Sequence, residues 1–144
     1  MALDLVAADI GITPSTPNTP YGVLMETGYP DATATLVCFV TGIASLYFST
    51  GGGVTGASRH EEVSAAATDF VKMSAQYLGA MRKTENFPVP APGKTTFYVK
   101  TASGVLTTTA RETDLGNMRS ALSPLFHAGQ NVITQIRLKS PQPG

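Results

Sequence analysis

A glycine-rich segment between a predicted strand and a predicted helix is the part of the sequence best suited to bind a ligand. Free backbone amides and the helix dipole favour anions at such a position. We therefore consider a small-ligand or phosphate site in which the two residues after the glycines supply charge. The candidate residues are Gly51, Gly52, Gly53, Gly56, Arg59 and His60.

Two phosphate-binding motifs are matched only in part by this segment. The segment satisfies G-x-G-x-x-G. The dinucleotide-binding motif, however, also needs a parallel strand-helix-strand unit and an acidic residue at the end of the next strand, roughly twenty positions on. In this sequence those positions lie inside a predicted helix. It also reads G-x-x-x-x-G, with Ala57 where a P-loop has its lysine. We favour the alternative interpretation, a strand-to-helix connector whose glycines adopt positive φ.

Nucleophilic catalysis has two formal candidates, and a structural role is favoured for both. Ser123 and His127 lie one helical turn apart, but Ser123 is the expected helix cap, with its hydroxyl engaged by helix amides. Cys38 lies in the middle of an apolar strand, where a thiol is usually an inert core residue. No catalytic residue is therefore predicted.

Metal and acid-base sites are not indicated by the spacing of the ligating residues. The two histidines and one cysteine are far apart, and the acidic residues do not cluster as in calcium loops. We expect no metal and no cofactor. Four carboxylates fall near predicted strand ends and are interpreted as solvated turn positions, although they could meet in space: Glu26, Asp31, Glu112 and Asp114.

Local patterns predict the elements that carry these residues. Strands are predicted at residues 21–27, 34–41 and 43–49, and a hairpin at 94–101 and 105–111. A first helix is predicted from a Ser58–Glu61 capping box to about Met81. The second and clearer helix runs from Pro124 to about Arg137. Residues 87–93 are predicted to form a polyproline-like connector, and residues 112–122 are predicted to form a loop with one helical turn.

The order of these elements predicts an α+β fold, with a sheet of about five antiparallel strands and two amphipathic helices in the order βββ-α-ββ-α. We divide the chain into a Pro/Thr-rich N-terminal arm (1–20), a single domain (21–139) and a C-terminal tail (140–144). Over residues 21–137 the order resembles that of profilin-like, roadblock-like and longin-like domains, in topology only. Many such domains dock or dimerise, so the resemblance implies binding rather than catalysis.

The strand at residues 34–41 is apolar on both sides. Leu36, Cys38 and Val40 alternate with Val37 and Phe39, and such alternation places the two sets on opposite faces. Helices can cover one face, and the other requires the N-terminal arm, a partner or a ligand. The neighbouring aromatic residues, Tyr47, Phe48, Phe97 and Tyr98, are expected to pack rather than to bind a ligand.

Composition limits the possible partners. Ten basic and ten acidic residues cancel, which argues against nucleic acid, and no apolar run is long enough for a membrane span. The single cysteine and the N-terminus without a secretion signal favour a cytoplasmic setting. With only 14% charged residues, we expect a non-enzymatic module that associates with itself or with a protein partner, through the second sheet face or a helix.

Overall fold

The computed structural model describes residues 19–51, 53–54 and 60–139. Within these ranges the chain forms an α+β fold with seven strands, three α-helices and one 3₁₀ helix. The strands are β1 (Gly22–Gly28), β2 (Thr33–Phe39), β3 (Ala44–Phe48), β4 (Gly53–Val54), β5 (Arg82–Thr84), β6 (Lys94–Thr101) and β7 (Gly104–Arg111). The helices are α1 (Glu61–Ser74), the 3₁₀ helix Ala75–Ala80, α2 (Glu112–Gly116) and α3 (Ser123–Lys139).

The strands form one antiparallel sheet in the order β4-β3-β2-β1-β6-β7-β5. Strand β1 lies near the centre, with Leu24 opposite Val37 of β2 on one side and Tyr98 of β6 on the other. Since side chains alternate along each strand, this register assigns every strand residue to one of two faces. The predicted order βββ-α-ββ-α is confirmed; β4 and β5 are additional strands of two and three residues at the sheet edges.

Helices α1 and α3 cover one face, which we call the helix face. Helix α1 packs against α3 and against β1, β2 and β3. At Gly129 of α3 an added Cβ would lie 2.7 Å from the sulfur of Met25 and 3.1 Å from the ring of Phe70, so this glycine lets the helix approach its neighbours closely. The buried sheet residues of this face include Val23, Met25, Leu36, Cys38, Ala44, Leu46, Phe97 and Val99.

The opposite face, which we call the second face, is also buried at its centre. Its apolar cluster consists of Tyr21, Leu24, Val37, Phe39 and Tyr98. The prediction that the strand around Cys38 is buried on both sides is therefore confirmed, with Cys38 in one cluster and Val37 in the other. This burial is achieved within a single chain.

A proline-rich segment, residues 87–92, crosses part of the second face; we call it the proline strap. The ring of Phe87 meets that of Tyr98 edge-on, with 5.4 Å between centroids, and the Tyr98 hydroxyl donates a hydrogen bond to the carbonyl of Pro88 at 3.2 Å. No helix or strand forms over residues 85–91. The predicted connector therefore has a packing role as well as a linking one.

Three predictions about helix ends need correction or refinement. Helix α1 begins at Glu61 with His60 at the N-cap, so the capping box predicted from Ser58 to Glu61 has the wrong register; Ser58 itself lies outside the described residues. The α-helical part ends at Ser74, whose hydroxyl donates to the Val71 carbonyl at 2.6 Å, a local bond that competes with helix continuation. The single turn predicted after β7 is α2.

The predicted arm falls outside the described ranges over residues 1–18, as does the tail at 140–144. In the part of the chain that the structure describes, no helix has the length and apolar character needed to cross a membrane.

Candidate functional site

The glycine-rich segment is described only in part. Gly51 has φ of +102°, and an added Cβ there would meet open space. Gly53 belongs to β4, where it pairs with Tyr47 of β3. Gly52, Gly56 and Arg59 lie outside the described residues. The positive φ of Gly51 agrees with the connector interpretation, in which a glycine relieves a turn that other residues rarely adopt.

The start of α1 is exposed and acidic. His60 occupies the N-cap with extended backbone and no side-chain capping bond, and it is exposed to solvent. Glu61 and Glu62 fill the first helical turn. Their carboxylates interact favourably with the positive end of the helix dipole and would repel an incoming anion. The phosphate-site hypothesis thus remains a prediction, with this charge arrangement against it.

The two nucleophile candidates have structural roles. Cys38 is fully buried on the helix face, and desolvation raises the pKa of its thiol, which keeps the unreactive protonated form. Ser123 is buried, and its hydroxyl accepts from the Ser120 amide at 3.3 Å and donates to the Asp114 carbonyl at 3.4 Å. The hydroxyl therefore binds the preceding loop, rather than the helix amides as predicted, and His127 lies exposed against the ring of Phe126.

The carboxylates near the predicted strand ends lie on three parts of the fold: β1, the β1–β2 turn and α2. Burial raises the pKa of the Glu26 carboxyl, and a hydrogen bond from Thr35 lowers it less strongly. Asp31 is exposed in the β1–β2 turn, while Glu112 and Asp114 belong to α2. Among the described residues there is no cluster of three metal-ligating side chains.

Glu26 belongs to a polar row across the second face that the sequence did not reveal. The register aligns Thr35 of β2, Glu26 of β1, Thr96 of β6 and Thr109 of β7. The Thr35 hydroxyl donates to the Glu26 carboxylate at 2.9 Å, and the Thr96 and Thr109 hydroxyls share a hydrogen bond at 2.8 Å. Such a row can accept or donate hydrogen bonds. It supplies one carboxylate with hydroxyl neighbours, which is less than an acid-base pair requires.

The aromatic residues divide into a buried pair and an exposed pair. Phe97 and Tyr98 are buried on opposite faces, as expected for packing residues. Tyr47 and Phe48 of β3 are instead largely exposed, and so is Ile43 in the preceding turn. The prediction of packing is therefore wrong for the β3 pair. Alternation along β3 indicates which face each side chain takes but not how far it is exposed, which depends on the strands beside it.

Comparison with known proteins adds no further constraint on function. No protein-family model, curated protein or solved structure matches this chain. The topological resemblance to profilin-like and roadblock-like domains therefore stays a prediction, and the functional argument rests on the geometry described above.

Proposed function

We propose that this chain is a non-enzymatic protein-interaction module that pairs with a second copy of itself through the edge at β3. One observation carries the proposal: Ile43, Tyr47 and Phe48, in β3 and the turn before it, are 44%, 45% and 42% exposed next to the edge strand β4. Large apolar side chains concentrated on an exposed edge favour association, because pairing removes their surface from water.

The strand pairing of β3 also favours an interface at this strand. On its inner side β3 pairs with β2 from Ala44 to Phe48. On its outer side, Leu46 and Tyr47 pair with Val54 and Gly53, the described residues of β4. Strands at the edge region of a sheet can accept further strands, and Tyr47 and Phe48 lie on opposite faces, so they can flank an added strand on both sides.

The proposed interface at β3 differs from the second sheet face, which the sequence favoured as the interface. The centre of the second face, around Leu24 and Tyr98, is buried within the single chain and offers little area to a partner. The low charged fraction of the chain, 14%, agrees with self-association, since fewer charges must be desolvated in an interface.

Sedimentation velocity over micromolar to submillimolar concentrations tests the proposal. We expect a concentration-dependent dimer that is lost in the double variant Tyr47→Lys, Phe48→Lys, because lysines on an edge strand oppose pairing. Leu138→Lys, at an exposed apolar position of α3, is the matched control and should still dimerise. A wild-type chain that stays monomeric throughout, or a dimer that persists in the folded double variant, would contradict the proposal.

The second candidate is a small-ligand or phosphate-binding function of the segment from Gly51 to Gly56, with Arg59 and His60 as recognition groups. The positive φ and open surroundings of Gly51 support it, and the acidic first turn of α1 counts against it. A ligand that binds the native state raises the melting temperature. The absence of any shift with inorganic phosphate and nucleotides, measured by calorimetry, would remove this candidate.

A further inference from the structure

The proline strap is restricted to an extended conformation by its covalent chemistry. Its sequence, Phe87-Pro88-Val89-Pro90-Ala91-Pro92, consists entirely of prolines and residues that precede prolines. Proline fixes its own φ, and it excludes the helical region for the residue before it. Both restrictions favour a polyproline II helix, which has three residues per turn and no internal hydrogen bonds. The strap thus has little conformational entropy left to lose on binding.

The side-chain contacts of the strap with the sheet agree with this period of three. Phe87 and Pro90 fall on one ridge: Pro90 is buried, and the ring of Phe87 contacts Tyr98 while it stays 41% exposed. The other two ridges carry Pro88 with Ala91, and Val89 with Pro92, and all four residues are exposed. Val89 is the most exposed large apolar residue of the strap, at 70%. One ridge therefore fixes the strap to the fold, and two ridges remain available.

Both ends of the strap are held by hydrogen bonds. Before it, the Thr84 hydroxyl donates to the Asn86 carbonyl at 2.9 Å and accepts from the Asn86 amide at 3.0 Å. After it, the Gly93 amide donates to the Gly28 carbonyl at 2.9 Å, and Pro92 forms a parallel bridge with Gly28. At Gly28 the strap passes so close that an added Cβ would lie 2.6 Å from the Pro90 carbonyl oxygen.

We propose that the proline strap is the ligand of a partner protein with an aromatic-lined groove and an acidic rim. Grooves of this kind bind polyproline II segments by receiving two adjacent ridges between aromatic side chains. The acidic rim follows from the charges that flank the strap, which are basic on balance: Arg82, Lys83 and Lys94 are exposed, against one exposed acidic residue, Glu85. The strap has prolines at alternate positions, so each free ridge presents one proline and one smaller or branched apolar residue. This proposal does not depend on pairing through β3.

Purified WW and SH3 domains are suitable probes of the proposal, since both have tryptophan in aromatic grooves for proline-rich segments. The chain contains no tryptophan, so tryptophan fluorescence in the mixture reports only on the probe domain. We expect a saturable fluorescence change on titration with the wild-type chain. Val89→Asp should weaken binding by about tenfold or more, because it places a charge on a free ridge and against the acidic rim. Added salt should also weaken binding.

Two controls make the test specific. Leu138→Asp changes a side chain with the same 70% exposure on α3, so its binding should equal that of the wild type. The Tyr47→Lys, Phe48→Lys double variant should also bind as the wild type does, which separates the strap from the β3 edge. A synthetic peptide of residues 85–93 should bind more weakly than the folded chain, because its ends are not held.

Three results would overturn the proposal. The first is the absence of a fluorescence change with every probe domain up to the highest attainable concentration. The second is an equal loss of binding in Val89→Asp and Leu138→Asp. The third is a free peptide that binds as tightly as the folded chain, because the folded strap would then contribute no pre-organisation.

Discussion

The helix face and the second face of the sheet are both buried, but by different kinds of structure. Two long helices, α1 and α3, cover Leu36 and Phe97 with apolar side chains that recur along each helix. On the second face, the strap covers Tyr98 with Phe87 and the backbone of Pro88, next to a row of hydroxyls and one carboxylate. Helical packing gives many mutually supporting contacts, whereas an irregular cover gives fewer and more local ones. The helix face should therefore contribute more to global stability.

The largest expected effect comes from a matched pair of leucines on adjacent strands. Leu36 and Leu24 are 0% and 1% exposed on opposite faces. We expect Leu36→Ala to lower the free energy of unfolding by about 4 to 5 kcal/mol, because two rigid helices cannot collapse into the cavity. Leu24→Ala should cost about 2 to 3 kcal/mol, because the apolar side chains clustered around Leu24 lie on or next to strands and on none of the described helices, so the cavity can partly close. Urea unfolding measures both.

Equal losses from the two leucine substitutions would break the comparison, since they would show that both covers are equally rigid. A larger loss from Leu24→Ala would reverse it, and would make the second face the principal source of stability.

Gly28→Ala provides a smaller, local effect on the second face. The added methyl group would collide with the carbonyl oxygens of Pro90 and Ala91, which belong to the backbone and cannot rotate away. We expect a loss of about 1 to 3 kcal/mol, and faster amide exchange at Gly93, whose amide binds the Gly28 carbonyl. Exchange in α1 and α3 should change less than at Gly93. Gly79→Ala is the control, because an added Cβ there meets open space.

The smallest expected effect is a pH dependence at Glu26. Burial raises the pKa of this carboxyl above its ordinary value of 4.5, and the Thr35 hydrogen bond offsets part of the rise. When the pKa of a group is higher in the folded state than in the unfolded state, the group stabilises the folded state at low pH. This stabilisation is lost as the pH rises through the folded-state pKa. Glu26→Gln should therefore gain stability relative to the wild type as the pH rises above the ordinary pKa of 4.5. A constant difference between the two unfolding midpoints would show that Glu26 is solvated in the folded state.

The fold could be predicted largely because its long elements carry strong periodic patterns. Helix α3 was expected from Pro124 to about Arg137 and extends from Ser123 to Lys139, since Pro124 and the apolar stripe mark it clearly. The β6–β7 hairpin follows in the same way from alternation and a turn at Gly104. Strands β4 and β5 contain two and three residues, too few for alternation to be visible. Their existence depends on neighbouring strands rather than on their own sequence.

The candidate surfaces were harder to predict because each one depends on long-range pairing. From the sequence, Glu26 is interpreted as a carboxylate at a strand end. Only the register of the sheet shows that it lies beside Thr35, nine residues away, and Thr96. The strap was visible as a connector, but its position over Tyr98 requires the close passage at Gly28. Exposure of Tyr47 and Phe48 likewise depends on which strand lies at the edge. A local pattern carries none of this information.

The burial of Cys38 has a practical consequence for measuring the motions of the sheet. It is the only thiol in the chain, and it is fully covered between the central strands and the helices. A thiol reagent can react with it only in molecules whose helix face has opened. The labelling rate at increasing reagent concentration therefore yields both the opening rate and the opening free energy of that face, without any engineered label.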